Sequence, residues 1–195
     1  MEPAVQDLAL SSRLARVEAQ LAIQQLPARY ALAVDSRDLD ALVDLFVDDV
    51  PCGRWGTGRL ALKEYYASGT ILKGFYRSIH QICGHTIDLI DEDHAGGTVY
   101  CRAEHEDGDH WVVMAICYFD RYERRDGQWY FARRDERHWY STDWNARPRG
   151  PTFQNWPGKY AEPKFNPRLP RSFPAWEAFW RDADPAAVAA ISRTP

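Results

Sequence analysis

The sequence is short of sulfur clusters, of glycine-rich loops and of long apolar runs, and each shortage excludes a class of protein. Only four of its 195 residues are cysteine: Cys52, Cys83, Cys101 and Cys117. They make no CxxC pair and no Cys-x-His cluster, so a structural zinc site is not expected, and each reads as a small reduced residue in a strand-like apolar context. There is no Gly-rich phosphate loop, no HExxH and no GxSxG, which removes the signatures of nucleotide binding, zinc peptidases and serine hydrolases. No run approaches the roughly 18 apolar residues of a membrane span, and the opening MEPAVQDLALSSR lacks the basic region and apolar core of a signal peptide. A surplus of one charge is missing as well, since 24 basic residues against 28 acidic leave a formal charge of −4, and nothing in that balance points to nucleic acid. These absences predict a soluble, cytoplasmic protein without metal or cofactor, whose chemistry uses side chains alone.

What the chain does have is a core. Apolar residues make up 45% and aromatics 13%, enough for one ordinary domain and incompatible with global disorder. From Ser11 to Val34, Leu14, Val17, Leu21, Leu26, Tyr30 and Ala33 recur at helical spacing, with a break or kink expected at Pro27. Asp38 can cap a short second helix carrying Leu39, Leu42, Val43 and Phe46. Cys52 to Gly58 reads as a short strand or loop, and Leu60 to Leu72 as a third helix. After residue 76 the character turns to strands over 77–90, 97–106, 110–124 and 128–140, joined by short Asp- and Gly-rich connections. The fold class is therefore α+β: three N-terminal helices packed on a strongly curved antiparallel or mixed sheet that encloses a pocket. Nine of the twelve prolines follow Arg147, mixed with many aromatics. Residues 1–143 are read as the domain and 144–195 as an extended, ordered aromatic arm ending in a short helix near Trp176, Phe179 and Trp180.

A few polar residues sit where chemistry could use them. Asp35 follows the apolar stretch Ala31-Leu32-Ala33-Val34, so its carboxylate either faces the interior or caps the helix at the surface. A buried carboxylate needs a partner, and histidine, which shares a proton near neutral pH, is the natural one. His80, flanked by Ile79 and Ile82, is the candidate. Strand alternation places Val99, Cys101, Ala103 and His105 on one face, so His105 ends a row of small residues and points into core or cavity. His85, His94, His110 and His138 read as solvent-facing or structural. Tyr30 precedes Asp35 by more than one turn, and the two would flank one pocket only if the helix loosened. Arg134 shares a face with Tyr130, Glu136 and His138; it reads either as a group that binds a developing anion or as part of a solvated, ion-paired run, Arg133-Arg134-Asp135-Glu136.

Taken in order, Arg29-Tyr30-Ala31-Leu32-Ala33-Val34-Asp35-Ser36-Arg37-Asp38, then His80, then Val99-Tyr100-Cys101-Arg102-Ala103-Glu104-His105, then Asp120 to Trp129, the sequence resembles the SnoaL-like branch of the nuclear-transport-factor-like superfamily, an α+β cone fold. The resemblance spans roughly residues 10 to 144. It implies an Asp35–His80 dyad of the kind found in scytalone dehydratase, hexachlorocyclohexane dehydrochlorinase and bile-acid dehydratases, with His105, after Gly97 and Arg102, as a second histidine. Tyr30 and Arg134 match further positions of those enzymes, and Cys101 and Trp55 are expected to line the substrate pocket with them. Val34 departs from the tyrosine that precedes the aspartate in scytalone dehydratase, and the arm has no counterpart. The implied function is a cofactor-independent lyase on a hydrophobic, aromatic small molecule, by dehydration, dehydrohalogenation or formaldehyde release, in a homo-oligomer, most simply a trimer. The alternatives are a non-catalytic small-molecule-binding or assembly module, or an isomerase or hydrolase using the same dyad.

Overall fold

The computed structural model describes residues 2–68, 72–147, 169–170 and 172–192. Helix α1 runs over Glu2–Ser36, α2 over Leu39–Val43 and α3 over Arg59–Ala67, followed by strands β1 (Ser78–Leu89), β2 (His94–Asp107), β3 (His110–Arg125) and β4 (Gln128–Asp143), and by helices α4 (Pro174–Trp180) and α5 (Pro185–Ser192). The strands form one sheet in sequence order, every pair antiparallel, so the mixed sheet allowed by the sequence is not adopted. Cys52 to Gly58 is a loop, held by a single bridge from Pro51 to Thr57 around a 3-10 turn at Gly53–Trp55. Of the proposed arm, residues 148–168, 171 and 193–195 lie outside the described residues.

Helix α1 does not break at Pro27, which sits fully buried inside it. Proline removes one helical hydrogen bond and crowds the preceding turn. Here the surrounding Ile23, Leu26, Tyr30, Ala33 and Val34 are packed into the core, and that burial holds the helix through the defect. The upper half of the apolar stripe read from the sequence is open to solvent: Leu14, Val17 and Leu21 are exposed, and so is Leu10 one turn before them. The helix ends in a Schellman arrangement, with Asp38 N–H donating to Ala33 O (2.9 Å) and Arg37 N–H to Val34 O (3.1 Å), and with Arg37 itself left-handed at φ 62°. Asp38 then caps α2 by accepting from Ala41 N–H (3.0 Å). This stop sets where the last turn of α1, and hence Asp35, meets the sheet.

The sheet presents two faces. Toward the helices point Ser78, His80, Ile82 and His85 of β1, opposite Gly97 to His105 of β2 in alternation, and then Val112, Met114, Ile116, Tyr118, Asp120 and Tyr122 of β3. Strand β4 adds Phe131, Arg134, Glu136, His138 and Ser141. A register shift at Arg121/Tyr122 puts Tyr130 on the opposite parity from Arg134, so the two do not share a face as the sequence suggested. Gly97 is required for close approach: a Cβ there would stand 2.7 Å from Thr86 O and 2.9 Å from the Tyr122 ring. The β3–β4 hairpin turns on Asp126-Gly127, both at positive φ (50° and 80°), the conformation of a tight two-residue hairpin. Among the cysteines, Cys101 and Cys117 are buried as expected; Cys83 is exposed and Cys52 half-buried, because a bulge at Ile82/Gly84 on the edge strand turns Cys83 away from the core.

Candidate active site

Asp35, in the last turn of α1, faces β1 and not solvent. One carboxylate oxygen, Oδ1, lies 2.7 Å from His80 Nδ1 and accepts from Ser78 Oγ–H (3.0 Å). The other, Oδ2, accepts the backbone N–H of His80 itself (2.7 Å). Arg37 donates to Ser78 Oγ and to Val34 O, each at 2.7 Å, tying the helix end to the strand that carries the histidine. Burial works against ionisation of Asp35, but the hydrogen bond and charge of His80, its backbone N–H and Ser78 outweigh it, and the carboxyl is held below its ordinary range. An ionised carboxylate can only accept, so Nδ1 of His80 must carry the hydrogen, which leaves Nε2 as the bare, basic nitrogen. No described residue takes a hydrogen bond from or gives one to Nε2.

His105 stands beside this pair, its ring 5.6 Å from that of His80 and 4.3 Å from Phe75. Burial, with the positive charge available to His80, pushes its pKa down to about 3, so it is a neutral imidazole at ordinary pH, and its Nδ1 has no partner among the described residues. Tyr30 needs no loosened helix to join them. It reaches the site from within regular helix, its ring edge-on to His80 at 6.4 Å, and its hydroxyl shares a hydrogen bond with Tyr66 (3.1 Å). Burial raises its pKa, against the opposing field of Arg134, so Tyr30 is a proton donor and not a phenolate. Cys101 is buried on the same face, its thiol pushed up to about 12 by burial, hence unreactive. Trp55 is not in this group: it is half-buried in its loop and reaches Tyr30 only through Tyr65 and Tyr66, ring to ring at 6.4, 5.1 and 6.5 Å. Arg102, part of the sequence pattern around His105, points to the other face, toward Glu104 and the Trp144 ring.

Farther along the sheet, Arg134 is the opposite of a solvated residue. Its side chain is 5% exposed and that of Asp120 0%, with Nε and Nη2 donating to the two Asp120 oxygens at 2.9 and 2.7 Å. The guanidinium lies 4.1–4.3 Å from the centroids of Tyr30, Tyr118 and Phe131. Burial opposes its charge, Asp120 more than restores it, and the pKa is raised. Tyr122 donates to Asp120 (3.0 Å) and contacts His85 Nε2 (2.9 Å), so His85 is structural, as expected. His94 and His110 pair with Asp91 and Asp143 at the surface.

The sequence reading missed four contributors. Ser78 and Arg37 were not singled out, although Ser78 shares a strand face with His80 and Arg37 follows Asp35 by two residues. Glu136 and His138 form a second acid–imidazole pair through Oε1 and Nε2 on the same face as the first. The signal was present in the alternation of residues 134, 136 and 138, but the strand-end position of His138 suggested exposure. Among the described residues, no three His, Cys, Asp or Glu side chains are grouped to hold a metal ion, and none of the described helices is long and apolar enough to cross a membrane.

This helix-on-sheet arrangement, with a carboxylate and a histidine joined across α1 and β1, agrees with a family model for the SnoaL-like domain that matches residues 15–135. The chain belongs to the SnoaL-like domain family. It is 28% identical over 129 residues to a gamma-hexachlorocyclohexane dehydrochlorinase of Sphingobium indicum, an alignment covering 64% of this chain and 83% of the relative. The solved structure of a scytalone dehydratase-like protein of Novosphingobium aromaticivorans superimposes with a TM-score of 0.58 at 27% identity, covering 68% of this chain and 92% of that one. A hexachlorocyclohexane dehydrochlorinase of Novosphingobium barchaimii gives a TM-score of 0.58 at 25% identity, covering 69% and 95%. These likenesses establish the superfamily fold, and they bring to the chain relatives named as lyases.

Proposed function

We propose that this SnoaL-like protein is a cofactor-independent lyase acting on a hydrophobic, aromatic small molecule held in a pocket between the helices and the concave face of a curved sheet. The observation that carries the reading is the 2.7 Å contact of Asp35 Oδ1 with His80 Nδ1, because it fixes the tautomer that leaves Nε2 free to accept a proton. Nε2 takes a C–H or O–H proton from the substrate while Asp35 stabilises the imidazolium. In dehydrohalogenation or dehydration the C–H pair forms the new double bond and the leaving group departs with its bonding pair, as halide, or as hydroxide that takes up the imidazolium proton and leaves as water. In formaldehyde release the O–H pair forms the C=O of formaldehyde, and the pair of the cleaved C–C bond stays on the other carbon and forms a double bond there as a neighbouring leaving group departs. Tyr30, protonated and adjacent, donates a hydrogen bond to the departing oxygen or halogen, and neutral His105 supplies a second polar contact. The likeness to dehydrochlorinases supports elimination over hydrolysis.

We also infer a homo-oligomer, read as a trimer from the family resemblance. Exposed Leu10, Leu14, Val17 and Leu21 on α1 support association, since a helix projecting such a stripe into water forfeits its burial. The lyase reading is tested by screening aromatic alcohols and halides for product formation by the full chain and by His80→Ala. Turnover by the former and not the latter supports it; equal turnover by both overturns it.

A further inference from the structure

The face that carries His80 also carries a carboxylate the elimination does not use. Glu136 sits opposite Tyr118 in the β3–β4 register, Tyr118 packs its ring 6.0 Å from that of Tyr30, and Tyr30 packs against His80. Glu136 is therefore on the sheet's helix-facing side, two rings from the base, and yet its side chain is 44% exposed while its partner His138 is 7% exposed. Its register places this exposed carboxylate on the helix-facing side of the sheet. Arg134, two residues back on β4, turns Nε and Nη2 to Asp120 and makes no hydrogen bond or ion pair with Glu136. Only His138 engages Glu136, at Oε1, and Oε2 has no partner among the described residues. Loss of solvation among its neighbours would push the Glu136 carboxyl up, but the hydrogen bond and charge of His138, with His80 beyond it, keep it below its usual range, so it is an anion. An anion in that position needs a donor when water leaves.

We propose that Glu136, braced by His138, is a specificity-determining residue that accepts a hydrogen bond from a hydroxyl of the bound molecule, so that the substrate is a phenol or alcohol and not a fully halogenated hydrocarbon. This rests on the pocket proposed above, but not on turnover. A hydroxyl gives Oε2 a charge-assisted partner. A hydrocarbon carrying only halogen offers no donor and strands the carboxylate without water.

The test uses two molecules of nearly equal shape, 4-propylphenol and 1-fluoro-4-propylbenzene, titrated calorimetrically into the full chain. The expected result is that the phenol binds roughly 10- to 100-fold tighter, the range for a hydrogen bond to a charged group. In Glu136→Ala the ratio falls to about one, chiefly by weaker phenol binding; in Glu136→Gln it falls part of the way, while His80→Ala and Asp35→Asn keep it. Thermal melting confirms that each variant is folded. The proposal is overturned if wild type shows no preference or no phenol binding, or if the preference survives in Glu136→Ala, or if it is lost in His80→Ala instead. Because the readout is a binding ratio, a chain that discriminates through Glu136 without turning anything over refutes the lyase and leaves this assignment standing.

Discussion

Of the carboxylate–base pairs on the helix-facing side of the sheet, Asp120–Arg134 and Asp35–His80 are built for opposite ends. Asp120–Arg134 is fully enclosed, bidentate and covered by three aromatic rings; each carboxylate oxygen is taken. Asp35–His80 is anchored as firmly on the acid, by Ser78 and two groups of His80, but the base keeps one nitrogen uncommitted. With both carboxylate oxygens taken and only Arg134 Nη1 left without a partner among the described residues, the Asp120–Arg134 pair is arranged to hold the fold together. A pair with one free nitrogen, oriented by everything around it, is the one we propose moves a proton.

The sharpest way to break that comparison is to remove each base or acid in turn. His80→Ala is expected to lower turnover by roughly 10²- to 10⁴-fold with the melting temperature nearly kept, and Asp35→Asn to lose rate for want of the right tautomer. Activity in His80→Ala equal to wild type would end the distinction. Next in size, Asp120→Ala strands a buried guanidinium and should cost about 3–5 kcal/mol of stability, measured by denaturant titration. The double variant Asp120→Leu with Arg134→Met should recover most of that loss. If Asp120→Ala melted like wild type, Arg134 would not depend on its partner and would be free for substrate.

Much of this was legible from the chain. The helical period, the four strands and the Asp-Gly hairpin signal follow from local spacing and turn chemistry, which the fold does not override. Asp35 and His80 could be paired because a carboxylate after an apolar helical run needs a partner. What could not be read was decided by contacts between distant segments. Pro27 stays helical because Ile23, Leu26 and Tyr30 are buried around it; Tyr130 leaves the face of Arg134 because one residue of β4 is skipped in the register. Glu136 and His138 were on the page as an alternation, yet an Arg-Arg-Asp-Glu run reads as surface until Asp120, fourteen residues back, is known to lie beneath it.

A smaller effect probes the neutral His105. Folded, its imidazole resists protonation until about pH 3, whereas in the unfolded chain it protonates near 6.5. The unfolded state therefore binds the extra proton first. Stability is complete above about pH 6.5 and declines as pH falls from there toward 3, by about 2 kcal/mol between pH 7 and 5. His105→Gln should flatten that slope. An unchanged slope in the variant would show that His105 takes up its proton as readily folded as unfolded.

The smallest expected effect tests the two faces of the sheet against each other. Among the described residues beyond β4, Leu169 is buried and donates its N–H to His138 O (3.2 Å), and Phe173 packs 6.1 Å from Phe119 and 5.9 Å from Trp139. Phe119 and Trp139 belong to the face turned away from the helices, where Tyr100 also lies 6.4 Å from Trp139. Phe173 thus covers part of the back of the sheet, opposite the dyad, and its contribution is one of burial. Removing one ring of such a cluster forfeits about 0.5–1.5 kcal/mol beyond the area it covers. Phe173→Ala should accordingly lower the melting temperature slightly and leave kcat for any substrate found unchanged, because neither of its described ring partners, Phe119 and Trp139, contacts Asp35, His80 or Tyr30. A large fall in kcat in a folded Phe173→Ala protein would mean that the back of the sheet sets the position of the dyad, and that the separation of structural and reactive faces does not hold.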